Sequence, residues 1–136
     1  MRTERLVFPL DSPLQDAQAQ SIFVLVWAVL LDRSCVIYIH DSLQPITDSE
    51  AVNFGNLSVT MNHPDGPISS QLIRSASSTG LIEEYTDSMA RRVSMKLNLQ
   101  VFVSSEVCYV REGHQFMEIE KKIVAMLKAA YPKEDM

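Results

Sequence analysis

The side chains of this 136-residue chain best suited to metal binding or nucleophilic catalysis are three histidines and two cysteines. We expect His40 at a strand end, His63 in a turn and His114 at a helix start, a distribution without the ligand spacing of a metal site. His114 and Glu118 lie one helical turn apart and could hold a metal ion together, but two ligands do not make a site. The sequence therefore predicts no metal centre.

Nucleophilic catalysis finds equally little support. Cys108 and His114 could form a thiol pair, and a serine with His40 and Asp41 could form a triad, but the sequence carries no Gly-x-Ser-x-Gly elbow. The phosphate-cradling motifs Gly-x-Gly-x-x-Gly and Gly-x-x-x-x-Gly-Lys are absent as well. The Ser-Ser-Thr-Gly stretch ending at Gly80 could bind an anion through backbone amides, although an ordinary helix cap is the favoured interpretation. We predict no catalytic residue, no cofactor and no enzymatic activity.

Composition and charge limit which partners and which cellular compartment we expect for this protein. The net charge is −5, and Lys and Arg never cluster beyond a pair, which argues against a nucleic-acid partner. Cys35 and Cys108 adjoin apolar stretches, which favours buried free thiols in a reducing compartment over a disulfide. The N-terminal residues show no apolar signal core, so we expect a cytoplasmic protein, with the nucleus as an additional compartment, and no membrane association.

The element around which the fold is expected to form is the apolar run 22–31. Its β-branched and aromatic residues favour a strand, and it is about half the length of a membrane-spanning helix. Its odd-numbered and even-numbered residues point to opposite faces and are all apolar, so both faces of this strand must be covered. One face would lie under helices, and the other would be a subunit interface; helices on both faces remain the alternative.

The remaining segments predict the other elements of one domain spanning residues 1–136. We expect strands at 5–8, 35–40, 57–61, 68–74 and 99–104, helices at 81–95 and 114–131, a turn at 63–67 and a loop at 41–56 with a helical turn near 48–54. The order is β-β-β-β-β-α-β-α. The predicted fold class is α+β, with a mainly antiparallel sheet of about six strands and two amphipathic helices.

Several short motifs occur in the order found in one known family. In the second half these are Ser78-Thr79-Gly80-Leu81, Met89-Ala90-Arg91-Arg92, the strand 99–104 and the closing Tyr131-Pro132-Lys133-Glu134. Upstream, residues 36–39, 56–61 and 67–70 fall where that family has strands. Over most of residues 20–134 the chain resembles the proteasome assembly chaperone 4 family, whereas residues 1–20 match it poorly.

The resemblance implies a non-enzymatic chaperone for assembly of the proteasome core particle. It would pair with a related small subunit similar to proteasome assembly chaperone 3, and the heterodimer would hold an α-type subunit while the α-ring forms. No cofactor or metal is implied. The expected partner interface lies on the central strand, at Val24, Val26 and Ala28 or at their opposite-face neighbours Leu25 and Trp27.

Two alternatives to the heterodimer stay open. The isolated chain could self-pair to cover its apolar strand. In a different functional class, the chain would be a homodimeric small-ligand-binding domain or an enzyme with an unrecognised site. Either would show a pocket with converging polar groups.

Overall fold

The computed structural model describes residues 2–10, 22–46, 57–61, 66–73, 80–110 and 112–131. Within these ranges the elements are β1 (Arg2–Leu10), β2 (Ile22–Leu30), β3 (Ser34–Ser42), β4 (Leu57–Met61), β5 (Ile68–Ile73), α1 (Gly80–Leu97), β6 (Gln100–Glu106) and α2 (Gly113–Ala130). The predicted order and the α+β class are confirmed. The predicted helical turn at 48–54, His63 and the Ser-Ser-Thr part of the proposed cap lie outside the described residues.

The six strands form one mixed sheet in the order β1-β2-β3-β6-β4-β5. β3 and β6 run parallel, and the other neighbouring strands are antiparallel. β6 therefore enters between β3 and β4, and α1 is the crossover that carries the chain back to that position. The last strand in sequence thus lies near the middle of the sheet.

The edge strand β1 is longer than the predicted segment 5–8. It pairs with β2 along its whole length, from Arg2 opposite Leu30 to Leu10 opposite Ile22. Pro9 lies within this pairing, and an edge strand tolerates it because its missing N–H is not needed on the outer side. Tertiary pairing with the apolar β2 therefore extends a strand whose own sequence shows only a short β pattern.

Both helices cover the same face of the sheet. Residues of even number in β2 and of odd number in β3 and β6 point towards the helices and form one core with them. Fully buried members of this core include Val24, Val26, Ala28, Cys35, Ile37, Val101, Val103, Val93, Ile119, Ile123 and Leu127. Burial of each valine or larger side chain stabilises the fold by roughly 1.5–3 kcal/mol.

Two polar features fix the helix ends. Asn98 follows α1 with φ 53°, in the left-handed region that asparagine tolerates after a helix, and the chain then enters β6. At the end of α2, the Tyr131 hydroxyl donates to the carbonyl oxygen of Leu31 at 2.6 Å and lies 3.1 Å from that of Ser34. This residue ties the end of α2 to the β2–β3 turn.

Candidate partner-binding surface

The sheet face opposite both helices, which we call the open face, is apolar along its middle. Its residues alternate with the buried core residues and comprise Val7, Leu25, Trp27 and Val29 on β1 and β2, Val36 and Tyr38 on β3, Phe102 on β6, and Val59 and Met61 on β4. Trp27 is 38% exposed, and Met61 is 54% exposed. An apolar surface of this kind on one side of a sheet is typical of a protein interaction site.

Trp27 and Tyr38 occupy the part of the open face formed by β2 and β3. They are register partners, and their ring centroids lie 5.9 Å apart with the planes tilted by 38°. The next row across the sheet consists of Val29, Val36, Phe102 and Val59. Aromatic side chains on a firm sheet are the usual anchors of protein interfaces, because they bury a large area with little loss of conformational freedom.

The structure separates the five predicted interface residues by face. Val24, Val26 and Ala28 have no exposed surface and lie in the core beneath the helices, whereas Leu25 and Trp27 lie on the open face. Of the second set only Trp27 is available on the sheet surface, because Leu25 is 1% exposed, and the role of either residue at an interface stays a prediction. The sequence did not lead us to name Tyr38 or Phe102 as interface residues. Alternation of side chains along β3 and β6 nevertheless places both on the open face.

One end of the open face is polar. His40 and Glu106 are register partners across β3 and β6, and Ser104 lies two residues before Glu106 on the same side of β6. Ser104 is 2% exposed. Its Oγ, and the Oε2 atom of Glu106, are sealed from solvent and have no hydrogen-bond partner in the part of the chain that the structure describes.

The loop after β6 is held by a single buried carboxylate. Asp41, near the end of β3, accepts backbone N–H bonds from Cys108 at 2.8 Å, Tyr109 at 2.7 Å and Val110 at 2.8 Å. Hydrogen bonds to a charged acceptor are stronger than neutral ones. Asp41 therefore fixes the chain between β6 and α2 and does not act in a Ser-His-Asp set.

On the opposite side of the molecule, α1 and α2 enclose a cleft of about 370 Å³. Its floor contains Tyr85 stacked on Phe116, with ring centroids 4.6 Å apart. Arg92 lines the cleft and makes a bidentate ion pair with Glu120, with a shortest distance of 2.7 Å. The hydrogen bond to Glu120 raises the pKa of Arg92 above its ordinary value.

The remaining candidates from the sequence are dispersed. Burial raises the pKa of the Cys35 thiol to about 12, whereas Cys108 is exposed, so the prediction of buried thiols is wrong for Cys108; neither cysteine is in a disulfide. His114 lies 3.2 Å from Glu112 through its Nδ1. Among the described residues no three metal-ligating side chains come together, and no helix is long and apolar enough to span a membrane.

Comparisons with known proteins place this architecture in a family. No curated protein shows a significant match to the chain. A solved structure, "Crystal Structure of a Novel Chaperone Complex for Yeast 20S Proteasome Assembly", contains a chain that is similar with a TM-score of 0.59 and 13% identity, over 95% of this chain and 98% of that one. At this identity the likeness shows a common fold.

The family assignment comes from a sequence profile. The profile described as proteasome assembly chaperone 4 matches residues 23–107, which is more than half of the 136 residues. The match extends from β2 to the residue after β6 and so includes the strands that form most of the open face. The chain belongs to the proteasome assembly chaperone 4 family.

Proposed function

We propose that this protein pairs through its open face with a related small chaperone subunit, and that the heterodimer binds an α-type subunit while the α-ring of the proteasome core particle assembles. Membership of the family supports the coarser role, that of a proteasome assembly chaperone, and implies a protein without catalytic function. The observation that carries the finer proposal is the apolar sheet face that neither helix covers.

The physical reason for pairing is the state of the side chains on that face. Trp27 and Tyr38 shield each other in part, but Trp27 and Met61 still expose apolar surface to water. A second sheet packed about 10 Å away would interdigitate its own side chains with theirs and remove that surface from water. A related subunit, which would carry the same kind of sheet, is the partner whose shape fits this arrangement.

A client needs a second surface if the open face is occupied. The helix layer offers one, because the cleft between α1 and α2 opens beside Met117, which is 59% exposed. Methionine adapts its shape to different partners, and the aromatic floor of the cleft can receive an apolar side chain. We therefore assign the α-type subunit to the helix layer and the related chaperone to the open face.

Two matched substitutions separate these assignments. Trp27→Ser removes an exposed aromatic side chain from the open face, and Met117→Ser removes an exposed apolar side chain from the helix layer. Each variant would be co-expressed, with a tag, together with the related small subunit and the α-type subunits, and the bound proteins would be identified by mass spectrometry. We expect Trp27→Ser to lose the small subunit, and Met117→Ser to keep it while retaining less of the α-type subunit.

The opposite pattern would contradict the assignment of surfaces. Recovery of the wild-type chain only as a stable homodimer, without either partner, would contradict the heterodimer itself. That result would favour the small-ligand-binding alternative and direct attention to the cleft between the helices.

A further inference from the structure

The cleft between α1 and α2 is charged differently at its two ends. Tyr85 of α1 stacks on Phe116 of α2. Farther along both helices, Arg92 of α1 pairs with Glu120 of α2, so the two helices run in the same direction across the sheet. Glu84 lines the cleft near the start of α1, and Arg92 lines it about two turns later, roughly 12 Å away. A bound segment therefore meets an acidic end beside the aromatic floor and a basic end beyond it.

The basic end keeps exposed positive charge although a carboxylate lies within it. Glu120 accepts hydrogen bonds from the Nε and Nη2 atoms of Arg92, and its Oε2 atom lies 3.9 Å from the Nζ atom of Lys96. The side chains of Arg92 and Lys96 are nevertheless 47% and 51% exposed, whereas that of Glu120 is 11% exposed. A ligand in the cleft therefore meets the two cations more readily than the carboxylate between them.

Lys121 and Lys128 extend this positive charge along α2. Both are exposed, and they follow Met117 at i+4 and i+11, so the three residues lie along one side of the helix. Met117 lines the cleft, which places the two lysines along the same wall. No ion pair within the described ranges involves either lysine. This concentration of cations occurs in a chain whose net charge is −5.

A purely structural role accounts for only part of this charge. Lys96 and Lys128 lie in the last turns of their helices, where cations offset the negative end of the helix dipole. That effect is confined to the last turn, so it explains neither Arg92 nor Lys121. Arg92 pairs with Glu120 through Nε and Nη2, and a guanidinium carries further donors on Nη1. Arg92 and Lys121 are therefore the cations best placed to bind a ligand.

We propose that the segment of the α-type subunit that binds in the cleft carries acidic residues directly beside a large apolar side chain. The inference rests on the proposed assignment of the client to the helix layer and specifies the chemistry of the bound segment. The apolar side chain rests on the floor formed by Tyr85 and Phe116, and the carboxylates bind Arg92 and Lys121. Glu84 repels a carboxylate at the opposite end, so the acidic residues lie on one side of the apolar residue only.

The test measures the affinity of the purified heterodimer for each α-type subunit by biolayer interferometry. Lys121→Glu reverses one charge beside the cleft. Lys122→Glu is the matched control, because it changes the net charge equally at the next residue, whereas Lys122 reaches towards β1, with its Nζ atom 5.5 Å from the centroid of the Phe8 ring. We expect Lys121→Glu to weaken binding of the α-type subunit roughly 10-fold, and Lys122→Glu to stay within about 2-fold of the wild type.

Salt dependence and charge exchange provide readouts that a change in folding would not reproduce. Affinity of the wild type for the α-type subunit should fall as NaCl is raised, and that of Lys121→Glu should fall less steeply. Replacing the contacting acidic residue of the α-type subunit with Lys should restore its binding to Lys121→Glu. The affinity of Lys121→Glu for the related small subunit should equal that of the wild type, because Lys121 lies on α2 and not on the open face.

The outcomes distinguish this inference from the proposed function. If Met117→Ser weakens binding of the α-type subunit and Lys121→Glu does not, the client binds the cleft and the acidic segment is wrong. If neither variant weakens binding, the client does not bind the helix layer and the inference fails with that assignment. If the wild-type heterodimer binds no α-type subunit, the proposed function fails.

Other anionic partners are tested with the same variants. The probes are vesicles containing phosphatidylserine and a duplex DNA. Binding of either probe that Lys121→Glu abolishes, together with unchanged binding of the α-type subunit, would assign the basic end to a membrane surface or a nucleic acid and would overturn the inference.

Discussion

Arg92 and Glu120 join α1 to α2 by a bidentate ion pair, with the Arg92 Nη2 atom 2.7 Å and its Nε atom 2.9 Å from Glu120 Oε1. The side chain of Glu120 is 11% exposed, whereas that of Arg92 is 47% exposed. Arg92 therefore balances the charge of the largely buried Glu120 carboxylate, while its own guanidinium stays partly hydrated. It also closes one side of the cleft assigned to the client, so it affects both stability and the shape of that surface.

Substitution of Arg92 tests this relationship. Arg92→Ala should lower the free energy of unfolding by about 1–2 kcal/mol, because Glu120 loses its bidentate partner while water screening limits the effect. Arg91→Ala, at the neighbouring exposed position, is the control and should stay within about 0.5 kcal/mol of the wild type. Urea denaturation followed by circular dichroism measures both. Equal stabilities of the two variants would show that the ion pair contributes nothing measurable.

Substitution of Asp41 should lower the free energy of unfolding more than substitution of a surface carboxylate. Asp41→Asn replaces an oxygen that accepts N–H bonds with an NH₂ group that donates, so at least one of the three backbone bonds is lost. We expect a loss of about 2–3 kcal/mol and faster hydrogen exchange at the amides of residues 108–110. Asp32→Asn, in the exposed β2–β3 turn, is the matched control. Unchanged exchange at these amides would refute the fastening role of Asp41.

Stability should fall at alkaline pH through Cys35. Burial raises the pKa of this thiol from 9.0 to about 12, so above pH 9 the unfolded chain loses a proton that the folded chain keeps. The stabilisation is fully present below pH 9 and declines by up to about 1.4 kcal/mol per pH unit between pH 9 and pH 12. Urea denaturation at pH 8 and pH 10 measures the decline. Cys35→Ala should show a smaller decline than the wild type; equal declines would assign the effect to other groups.

The single tryptophan reports on the open face. Trp27 is 38% exposed, and a partner that covers it should shift its fluorescence emission to shorter wavelength and reduce quenching by acrylamide. Titration with the related small subunit provides the measurement, and Met117→Ser should behave like the wild type because Met117 lies on α2. Binding without any change in emission would place the partner on another surface.

The confirmed parts of the fold follow from local patterns. Alternation in β3 and β4, the 3.6-residue period of α1 and α2 and the break near residue 98 are properties of neighbouring residues, and such patterns do not depend on the rest of the chain. The same logic located the doubly apolar β2 and its need for cover on both faces. No local pattern predicted the extension of β1 to Arg2–Leu10, because pairing with β2 supplies most of the stabilisation of this strand.

The amino-acid sequence by itself determined the order of elements, the resemblance to a chaperone family and the need to cover both faces of β2. Only the tertiary structure decided which face the helices cover. Val26 and Trp27 are neighbours in an unbroken apolar run, so hydrophobicity cannot distinguish them. Their surroundings in the fold do, because Val26 lies in one core with residues of both helices, whereas Trp27 lies beside Tyr38 on the open face. The polar end at Glu106 likewise arises only because β6 inserts next to β3, a contact between segments far apart in the chain.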